Sequence, residues 1–518
     1  MKVTEMDIIN AQIEYNDVDN KEITKNILKE WRNSDIIAQM KEAEAYSLVK
    51  NTKIDEKTRT YKDDNGKLIV NNNLSNVKTK TAQYRKSLKQ KVDFTMAKPF
   101  IISCDDDKYK EEWDNFLTDE NRAVIRLTAK NGINYGIGWT YTWIDENGDL
   151  QLVNVNSQTV YPAWTDEAHT ELDAAVRDYK VIEYENQTAS EVTKVEYWDR
   201  QVVEKYIDYS NGEGTGNSLE VDTEGKELDE NEKEMISVSS THMQDKDGNG
   251  VSWERVPFIF LKGDEDELPL LNECKDDIDT YDMVKSKGID SILDDIDAVL
   301  VVEGIGAEMG ELARARRIVQ NSRIIAIDPG GSAKFEKVNS DITAIARQLD
   351  LIKKDIQDNT NTVDVTTIAL GSNPSGKAMK TFYEPLNTWT NGFEAQFRVY
   401  MKNLKYFFDK WLSWKGGLGT FEELQEKEVT FTLDRDMLID EDQIIENIMK
   451  LGDEISQETR DELNPYVESH EKEEERRKED KEKAKEEDEL YNFGKDVNNE
   501  EENSEEEEEK EEKPSAQD

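Results

Sequence analysis

Residues 375–414, SGKAMKTFYEPLNTWTNGFEAQFRVYMKNLKYFFDKWLSW, predict one very long helix. Large apolar side chains recur there every three or four residues, so they share one face of a helix: Phe382, Leu386, Trp389, Phe393, Phe397, Tyr400, Leu404, Phe407 and Trp411. At about 1.5 Å per residue, a helix of this length extends about 60 Å. Pro385 lacks a backbone N–H, and we expect it to kink the first third of the helix.

The segments before this helix follow a distinctive order. Residues 272–298 predict an acidic helix, 299–338 predict a β-rich segment, and 339–360 predict a second helix. A polar loop, NTVDVTTIALGSNPSG at 361–376, leads into the long helix. The predicted apolar faces comprise Ile278, Tyr281, Ile289, Ile292 and Ile296 in the first helix, and Ile342, Ile345, Ala346, Leu349, Ile352 and Ile356 in the second.

Residues 1–265 predict an α+β body. Helices are expected in the first 50 residues, in the basic stretch 77–94 and across 108–131. Strand-forming residues alternate on both sides of an Asp-Glu-Asn-Gly turn at 145–148, which predicts a hairpin, and further strands follow. A polar insert at 209–250 is rich in Gly, Glu, Ser and Asp, which is typical of a mobile loop.

The sequence after the long helix changes character twice. VTFTL at 429–433 predicts a strand, and helical segments follow to about residue 487. Residues 488–518 are mostly Glu, Lys and Asn with little to bury, which predicts a disordered acidic tail.

The formal net charge of the chain is −48. Residues 481–518 hold 17 acidic residues against six Lys, so most of the negative charge lies elsewhere. A charge of this sign keeps a chain soluble and repels polyanions. It suits either an ordinary solvated surface or a surface that faces DNA without binding it tightly, and charge alone does not separate the two.

Cysteine and histidine predict neither a metal site nor a disulfide scaffold. Cys104 and Cys274 are far apart with no CxxC partner, which fits a reducing compartment. His169, His242 and His470 stand alone, as packing or surface histidines do. No apolar run approaches the roughly 20 residues that cross a bilayer, so we expect a soluble intracellular protein that contacts no membrane.

Three patterns resemble ligand sites, and each has a simpler interpretation. The glycines of 304–310 are spaced GxGxxxG where a dinucleotide fingerprint has GxGxxG, which favours a small βαββ module. Residues 245–250 resemble the start of a calcium loop, but position 12 would be Val256, which favours a tight turn. Asp105, Asp106 and Asp107 precede a predicted helix, where acidic residues stabilise the N-terminus.

Signatures of catalysis are also missing from the sequence. It contains no nucleophile elbow and no GxxxxGK[ST] phosphate loop. We therefore expect no enzymatic activity and no cofactor.

The order of five sequence blocks resembles the portal proteins of long-tailed bacteriophages, of the type found in phages of Gram-positive bacteria. The blocks are NGINYGIGWTYTWIDENGDLQLVNVNSQTVYPAWTD with AAVRDY (131–179), VPFIFLKG (256–263), LPLLNECKDDIDTYDMVKS (268–286), LGSNPSGKAMKTFYEPL (370–386) and VTFTLDRDMLIDEDQIIENIMKLGDEISQETRDELNPYVESHEKEEERRKED (429–480). The resemblance covers nearly all of the chain except the tail. The insert at 209–250 and the acidic tail depart from the usual pattern.

The resemblance implies an α+β portal fold that assembles into a ring of about twelve subunits. The implied parts are an α+β wing (1–270), a first stem helix (271–298), a clip (299–338), a second stem helix (339–360), a tunnel loop (361–376), a long kinked helix with the return to the wing (377–434), a helical crown (435–487) and the tail (488–518).

The same resemblance implies roles for particular residues. The tunnel loop would narrow the channel around DNA through Ile368, Leu370, Gly371, Ser372 and Asn373, with Lys377 and Lys380 either reaching phosphate or simply solvating the helix. Arg314, Arg316 and Arg317 in the clip would either contact a packaging or tail partner or lie on a solvated helix face. The stripe residues Phe382, Trp389, Phe393, Phe397, Leu404 and Trp411 would hold neighbouring subunits together, along with both stem helices.

The implied function is a non-enzymatic channel at the capsid vertex for DNA packaging and ejection. The implied partners are other copies of the chain, double-stranded DNA without sequence preference, the terminase large subunit, a head-tail adaptor, and the major capsid and scaffold proteins. The expected location is the virion, and the host cytoplasm during assembly. The alternative is an acidic helical scaffold or a DNA-mimic assembly protein.

Overall fold

The structure is a computed structural model of the 518-residue chain. It describes residues 11–13, 19–62, 66–72, 74–185, 188–209, 219–223, 239–244, 249–293, 298–303, 330–337, 342–364, 376–435, 441–464, 466–467, 470, 472–474, 476–481 and 483. These residues separate into two compact units: Met1–Ile368 with Tyr383–Met437, and Ala369–Phe382 with Leu438–Asp518.

Twelve α-helices have defined bounds in the described part of the chain. They are α1 (Asn20–Arg32), α2 (Asp35–Ser47), α3 (Thr52–Asp55), α4 (Gln83–Met96), α5 (Asp107–Phe116), α6 (Asp119–Tyr135), α7 (Lys275–Leu293), α8 (Ile342–Asn359), α9 (Gly376–Lys415), α10 (Phe421–Gln425), α11 (Glu441–Leu451) and α12 (Gln457–Leu463). Short 3₁₀ helices cover Ser157–Thr159, Leu270–Glu273 and Gly452–Glu454.

The described strands form antiparallel sheets only. They are β1 (Thr60–Lys62), β2 (Leu68–Val70), β3 (Ile101–Cys104), β4 (Ile137–Ile144), β5 (Leu150–Val155), β6 (Val160–Trp164), β7 (Leu172–Glu185), β8 (Thr188–Trp198), β9 (Val202–Asp208), β10 (Leu219–Val221), β11 (Ser239–Thr241), β12 (Met243–Gln244), β13 (Gly250–Val251), β14 (Phe258–Lys262), β15 (Ala298–Glu303), β16 (Ser332–Lys337) and β17 (Val429–Thr432). This mixture of helices and antiparallel sheets confirms the predicted α+β class.

Two sheets dominate the first unit. The larger has the order β10-β9-β8-β7-β6, with β11 also pairing with β9, and the smaller has the order β14-β4-β5. The predicted hairpin is confirmed as β4–β5, and its turn is closed by Asp145, whose carboxylate accepts hydrogen bonds from the N–H groups of Asn147 and Asp149 at 2.9 and 3.0 Å. Gly148 supplies the positive φ of 87° that this turn requires.

Helix α9 forms the centre of the core of the first unit from Tyr383 onward. Phe397 packs edge-to-face against Phe100 with ring centroids 5.3 Å apart, and Phe408 lies 4.0 Å from Trp113. The hydroxyl groups of Tyr400 and Thr140 are 2.9 Å apart, which ties the helix to β4. The predicted helix is confirmed almost to the residue, with Pro385 inside it.

Three local predictions for the first unit are corrected by the structure. The helix expected over 108–131 is two helices, because Thr118 caps α6 by accepting a hydrogen bond from the N–H of Asn121. The helix expected over 77–94 begins only at Gln83. Part of the insert 209–250 is ordered, since β10 and β11 extend the larger sheet along β9.

The second unit includes α11 and α12. Asp461 of α12 accepts two hydrogen bonds from Arg477, at 2.6 and 2.8 Å, and lies 2.9 Å from Nδ1 of His470. These cationic partners lower the pKa of the Asp461 carboxyl to about 2. Helices α11 and α12 both lie after residue 440, and they confirm the helical segments that the sequence predicted there.

Several predictions fall on residues outside the described ranges. These are the tunnel-loop residues Ile368, Leu370, Gly371, Ser372 and Asn373, the clip residues Arg314, Arg316 and Arg317, and the tail 488–518. The glycine pattern at 304–310 also falls there, as do residues 245–248 of the calcium-like segment.

Candidate functional site: the paired helices and the flanks of the loop

Helices α7 and α8 lie side by side, and the paired strands β15 and β16 come between them in the sequence. They approach closely at Gly288, where a Cβ would lie 3.1 Å from Cγ2 of Ile345. Strands β15 and β16 pair over six residues, from Ala298 opposite Lys337 to Glu303 opposite Ser332. The described residues therefore reproduce the predicted order of helix, β-rich excursion and helix.

Most buried side chains of α7 are polar, although Ile278 is buried as well. Asp282, Ser286 and Asp290 are each at most 2% exposed. Their side chains accept hydrogen bonds from three backbone N–H groups of an extended segment, residues 77–81, which runs antiparallel to the helix. The bonds join Thr81 to Asp282 at 3.1 Å, Thr79 to Ser286 at 2.9 Å and Val77 to Asp290 at 2.7 Å.

This polar ladder follows from two matching repeats. Every second residue of an extended chain advances about 6.6 Å, and every fourth residue of a helix advances about 6.0 Å. Residues 77, 79 and 81 therefore stay level with residues 290, 286 and 282. The ladder satisfies backbone groups that would otherwise lack a sheet partner.

Two further polar groups complete the ladder. Nζ of Lys57 lies 2.5 Å from Oδ2 of Asp290, and both side chains are 4% exposed. Nδ2 of Asn51 donates to Asp282 at 2.9 Å. Burial raises the pKa of the Asp282 carboxyl, which the hydrogen bonds from Thr81 and Asn51 oppose.

Four apolar side chains of the helix pair are exposed in the single chain. Ile292 and Leu293 of α7 are each 59% exposed, and Ile342 and Leu351 of α8 are 58% and 49% exposed. Within α8 only Ile352 and Ile356 are buried. The apolar faces predicted for the two helices are thus only partly used within one chain.

The two helices carry little net charge of their own. Helix α7 contains five Asp and three Lys, and α8 contains three Asp, two Lys and one Arg. The acidic excess of the chain therefore lies mainly outside this pair.

Helix α8 ends in a defined cap. Asn361 adopts a positive φ of 51°, and the N–H groups of Asn361 and Thr362 donate to the carbonyls of Asp358 and Gln357 at 3.3 and 2.9 Å. This is the geometry of a Schellman cap, in which the left-handed residue stops the helix. It fixes the point at which the predicted loop begins.

The structure buries four of the six predicted interface residues of α9 inside their own chain, which contradicts the predicted interface at those four positions. Phe393, Phe397 and Leu404 are at most 1% exposed, and Trp411 is 7% exposed and donates from Nε1 to the carbonyl of Gly148 at 2.8 Å. These side chains already pack inside their own chain. Phe382 and Trp389 are half-buried.

The remaining predicted site residues are not brought together by the described structure. The backbones of Lys377 and Lys380 lie in the first turns of α9, but their side chains are outside what is described. Asp106 acts as the N-cap of α5 and forms a 2.5 Å ion pair with Lys427, which lowers the pKa of its carboxyl. Its role is therefore structural.

The described part of the chain contains neither a metal-binding cluster nor a membrane-spanning helix. No group of three or more His, Cys, Asp or Glu side chains there is arranged to hold a metal ion. Among those same residues, no helix is long and apolar enough to cross a membrane.

Comparison with known proteins identifies what the chain resembles. A family model described as "Phage portal protein, SPP1 Gp6-like" matches residues 10–487. The portal protein of Bacillus phage SPP1 is 25% identical over 427 residues, which cover 81% of this chain and 79% of that relative.

Proposed function

Because the chain belongs to the SPP1 Gp6-like family of phage portal proteins, we propose that about twelve copies close into a ring that forms the DNA channel at one capsid vertex. Family membership across most of the chain is the observation that carries this proposal. The order α7, β15–β16, α8 and the 40-residue α9 supports it, since this is the order expected for stem, clip, stem and long helix.

Subunits would contact one another through exposed apolar side chains of α7 and α8. Ile292, Leu293, Ile342 and Leu351 are 49–59% exposed, and this is apolar surface that a neighbouring copy would cover. Burying such surface between copies is favourable by about 25 cal/mol per Å². This surface replaces the α9 stripe in our account of ring assembly.

The tunnel loop at 361–376 would project into the channel and adjust to DNA. Gly371 and Gly376 permit backbone conformations that a rigid element could not adopt, and Pro374 disfavours helix. Lys377 and Lys380 would stand near phosphates at the start of α9. DNA must slide, so such contacts need to be few, because each cation bound to phosphate adds a salt-dependent anchor.

A packaging assay with otherwise wild-type components tests the channel role. Replacing Gly371 and Gly376 together with Val should block DNA packaging while rings still assemble. Normal packaging by the double variant would refute the proposed role of the loop.

The clip would carry the docking surface for the packaging and tail machinery. Arg314, Arg316 and Arg317 are the cations proposed to contact an acidic face of the terminase large subunit or the head-tail adaptor. Reversing their charge should weaken binding in a pull-down while rings still form. Major capsid and scaffold proteins would surround the wing and crown.

The protein would act in the virion, and in the host cytoplasm during assembly. It would perform no chemistry itself and would need no cofactor. The family match favours this role over an acidic helical scaffold or a DNA-mimic protein.

A further inference from the structure

Helix α4 contacts the chain on both sides of the tunnel loop. On the upstream side it binds residues 360–363, which follow α8. On the downstream side it packs against Tyr383 and Trp389 of α9. The chain thus contacts helix α4 at Val363, before the loop, and contacts the same helix again at Tyr383, after the loop.

The upstream contact is a paired hydrogen bond from one side chain. Nε2 of Gln90 donates to the carbonyl of Val363 at 3.0 Å, and Oε1 of Gln90 accepts from the N–H of Val363 at 2.9 Å. One amide side chain can bind the N–H and the carbonyl of a single residue only when the two segments are correctly aligned. Two neighbouring strands pair in a similar way. Val363 is 7% exposed, so its backbone groups would otherwise be poorly satisfied.

A buried cluster of hydroxyl groups supports this contact. Oγ1 of Thr360 donates to the carbonyl of Ile356 at 2.6 Å and lies 2.9 Å from Oγ1 of Thr362. The hydroxyl of Ser87 lies 3.4 Å from both threonine hydroxyls. The chain leaving α8 is therefore held against α4 by side chains one turn apart.

An ion pair continues the contact to the edge of the loop. Nζ of Lys353 lies 2.5 Å from Oδ2 of Asp364, and Nζ of Lys86 lies 4.0 Å from Oδ1 of the same carboxylate. Residues 360–364 are thus fixed by both α4 and α8.

The downstream contact is made by the next turn of the same helix. Nζ of Lys91 lies 4.1 Å from the ring centroid of Trp389, and the ring of Phe94 stacks on that of Tyr383 at 6.0 Å with an interplanar angle of 12°. Lys91 is 0% exposed. Gln90 and Phe94 are four residues apart, about 6 Å along the helix.

We propose that Gln90 is a positioning residue for the tunnel loop, and that Ser87, Gln90, Lys91 and Phe94 of α4 form a clamp that holds both flanks of the loop. The clamp fixes the points at which the chain enters and leaves the loop. This inference rests on the proposed channel role of the loop.

The test replaces Gln90 with Met, which keeps the length of the side chain and removes both hydrogen bonds. Gln83→Met, on the first turn of α4, is the matched control, since Gln83 forms no hydrogen bond to residues 360–364 in the described structure. Amide hydrogen exchange of assembled rings is followed by mass spectrometry in peptides covering 361–376. DNA packaging is measured on the same preparations.

In Gln90→Met we expect exchange in these peptides to rise about tenfold at the amides of 361–364, because local opening there no longer breaks two hydrogen bonds. Exchange in α7 should stay at the wild-type level, and packaging should fall although rings form. Gln83→Met should match wild type in every measurement. Gln90→Glu keeps the acceptor for the Val363 N–H but loses the donor, so its exchange should be intermediate.

The outcomes distinguish a failure of the clamp proposal from a failure of the proposed function. Unchanged exchange at 361–376 in Gln90→Met rings would overturn the clamp. Raised exchange with normal packaging would show that the contact is structural and does not position the loop. If Gln90→Met did not assemble, the Gln90→Glu rings would decide by the same two measurements. Failure of the wild-type protein to form rings would instead refute the proposed function.

Discussion

The carboxylate of Asp290 accepts a hydrogen bond from the backbone N–H of Val77 at 2.7 Å, across 213 residues of sequence. This bond is one end of the polar ladder that ties α7 to residues 77–81. The same carboxylate pairs with the buried ammonium of Lys57. The position of α7 therefore depends on polar contacts with the N-terminal part of the chain.

Replacing Asp290 with Ala should destabilise the chain by about 3–5 kcal/mol, because the buried ammonium of Lys57 would lose its partner. Urea unfolding of the full chain measures this. Asp290→Asn should cost less, since its amide oxygen can still accept from Val77. Asp276→Ala, at an exposed position of the same helix, is the control. Equal stability of Asp290→Ala and the control would show that the ladder contributes nothing.

The ladder could not be predicted from the sequence pattern. Its helix contributes polar residues at every fourth position, and its partner is an extended stretch whose backbone, rather than its side chains, makes the bonds. Hydrophobic periodicity carries no signal for such contacts. The late start of α4 at Gln83 has the same origin, because residues 77–81 are held extended by α7.

Other features could be read from the sequence. The apolar stripe predicted α9, and Asp145 to Gly148 predicted the β4–β5 turn. The break between α5 and α6 had a signal that was overlooked, since Thr118 followed by Asp119 and Glu120 is typical of a helix N-terminus.

The stripe of α9 was misassigned because a stripe predicts burial but not what covers it. Buried Met401, Phe408 and Leu412 extend the apolar surface of α9 beyond one narrow face. A helix that is apolar on several sides is buried in a core. The width of the apolar surface, more than its length, indicated that α9 lies in the core of its own chain.

Phe397→Ala tests this corrected assignment. Phe397 is 0% exposed, and removing its ring should cost about 3–5 kcal/mol and lower the stability of the single chain. Val399→Ala, at a position 42% exposed on the same helix, should have little effect. Chemical denaturation at a concentration where only monomer is present makes the comparison. Wild-type stability combined with loss of rings would restore the interface assignment.

For the exposed apolar residues of α7 and α8 we expect the opposite result, which is loss of rings with little change in the stability of the single chain. Ile292→Ser with Ile342→Ser should change the stability of the single chain by less than about 1 kcal/mol, because both side chains are exposed. Rings should be lost or become strongly concentration-dependent, as sedimentation velocity would show. Ile182→Ser, at a position 77% exposed in β7, controls for loss of exposed apolar surface elsewhere. Intact rings in the double variant would exclude this surface as the contact.

Burial of Lys91 should make the stability of the folded chain depend on pH. Burial lowers the pKa of its ammonium from 10.5 to about 8. Between these values the unfolded chain binds more protons than the folded chain, so this group makes stability rise with pH from about 8 to 10.5. Below pH 8 the cost of burying the charge is fully present.

Lys91→Met should therefore be at least as stable as wild type at pH 7, and the difference should shrink as pH rises to 10.5. The shift corresponds to up to about 3 kcal/mol. Urea unfolding at several pH values measures the difference between the two proteins, so other titrating groups cancel. Lys89→Met, exposed on the same helix, should show no such trend. A constant difference across this range would show that Lys91 is not buried as a cation.

Ring formation by the purified full chain is the most direct test of the account. Native mass spectrometry at micromolar concentration and moderate salt should show a closed assembly of about twelve copies, as heterologous contacts that close by rotation produce. Negative-stain images of the same sample should show a central hole. A spectrum that contains only monomer under these conditions would contradict the proposal that this chain builds a portal ring.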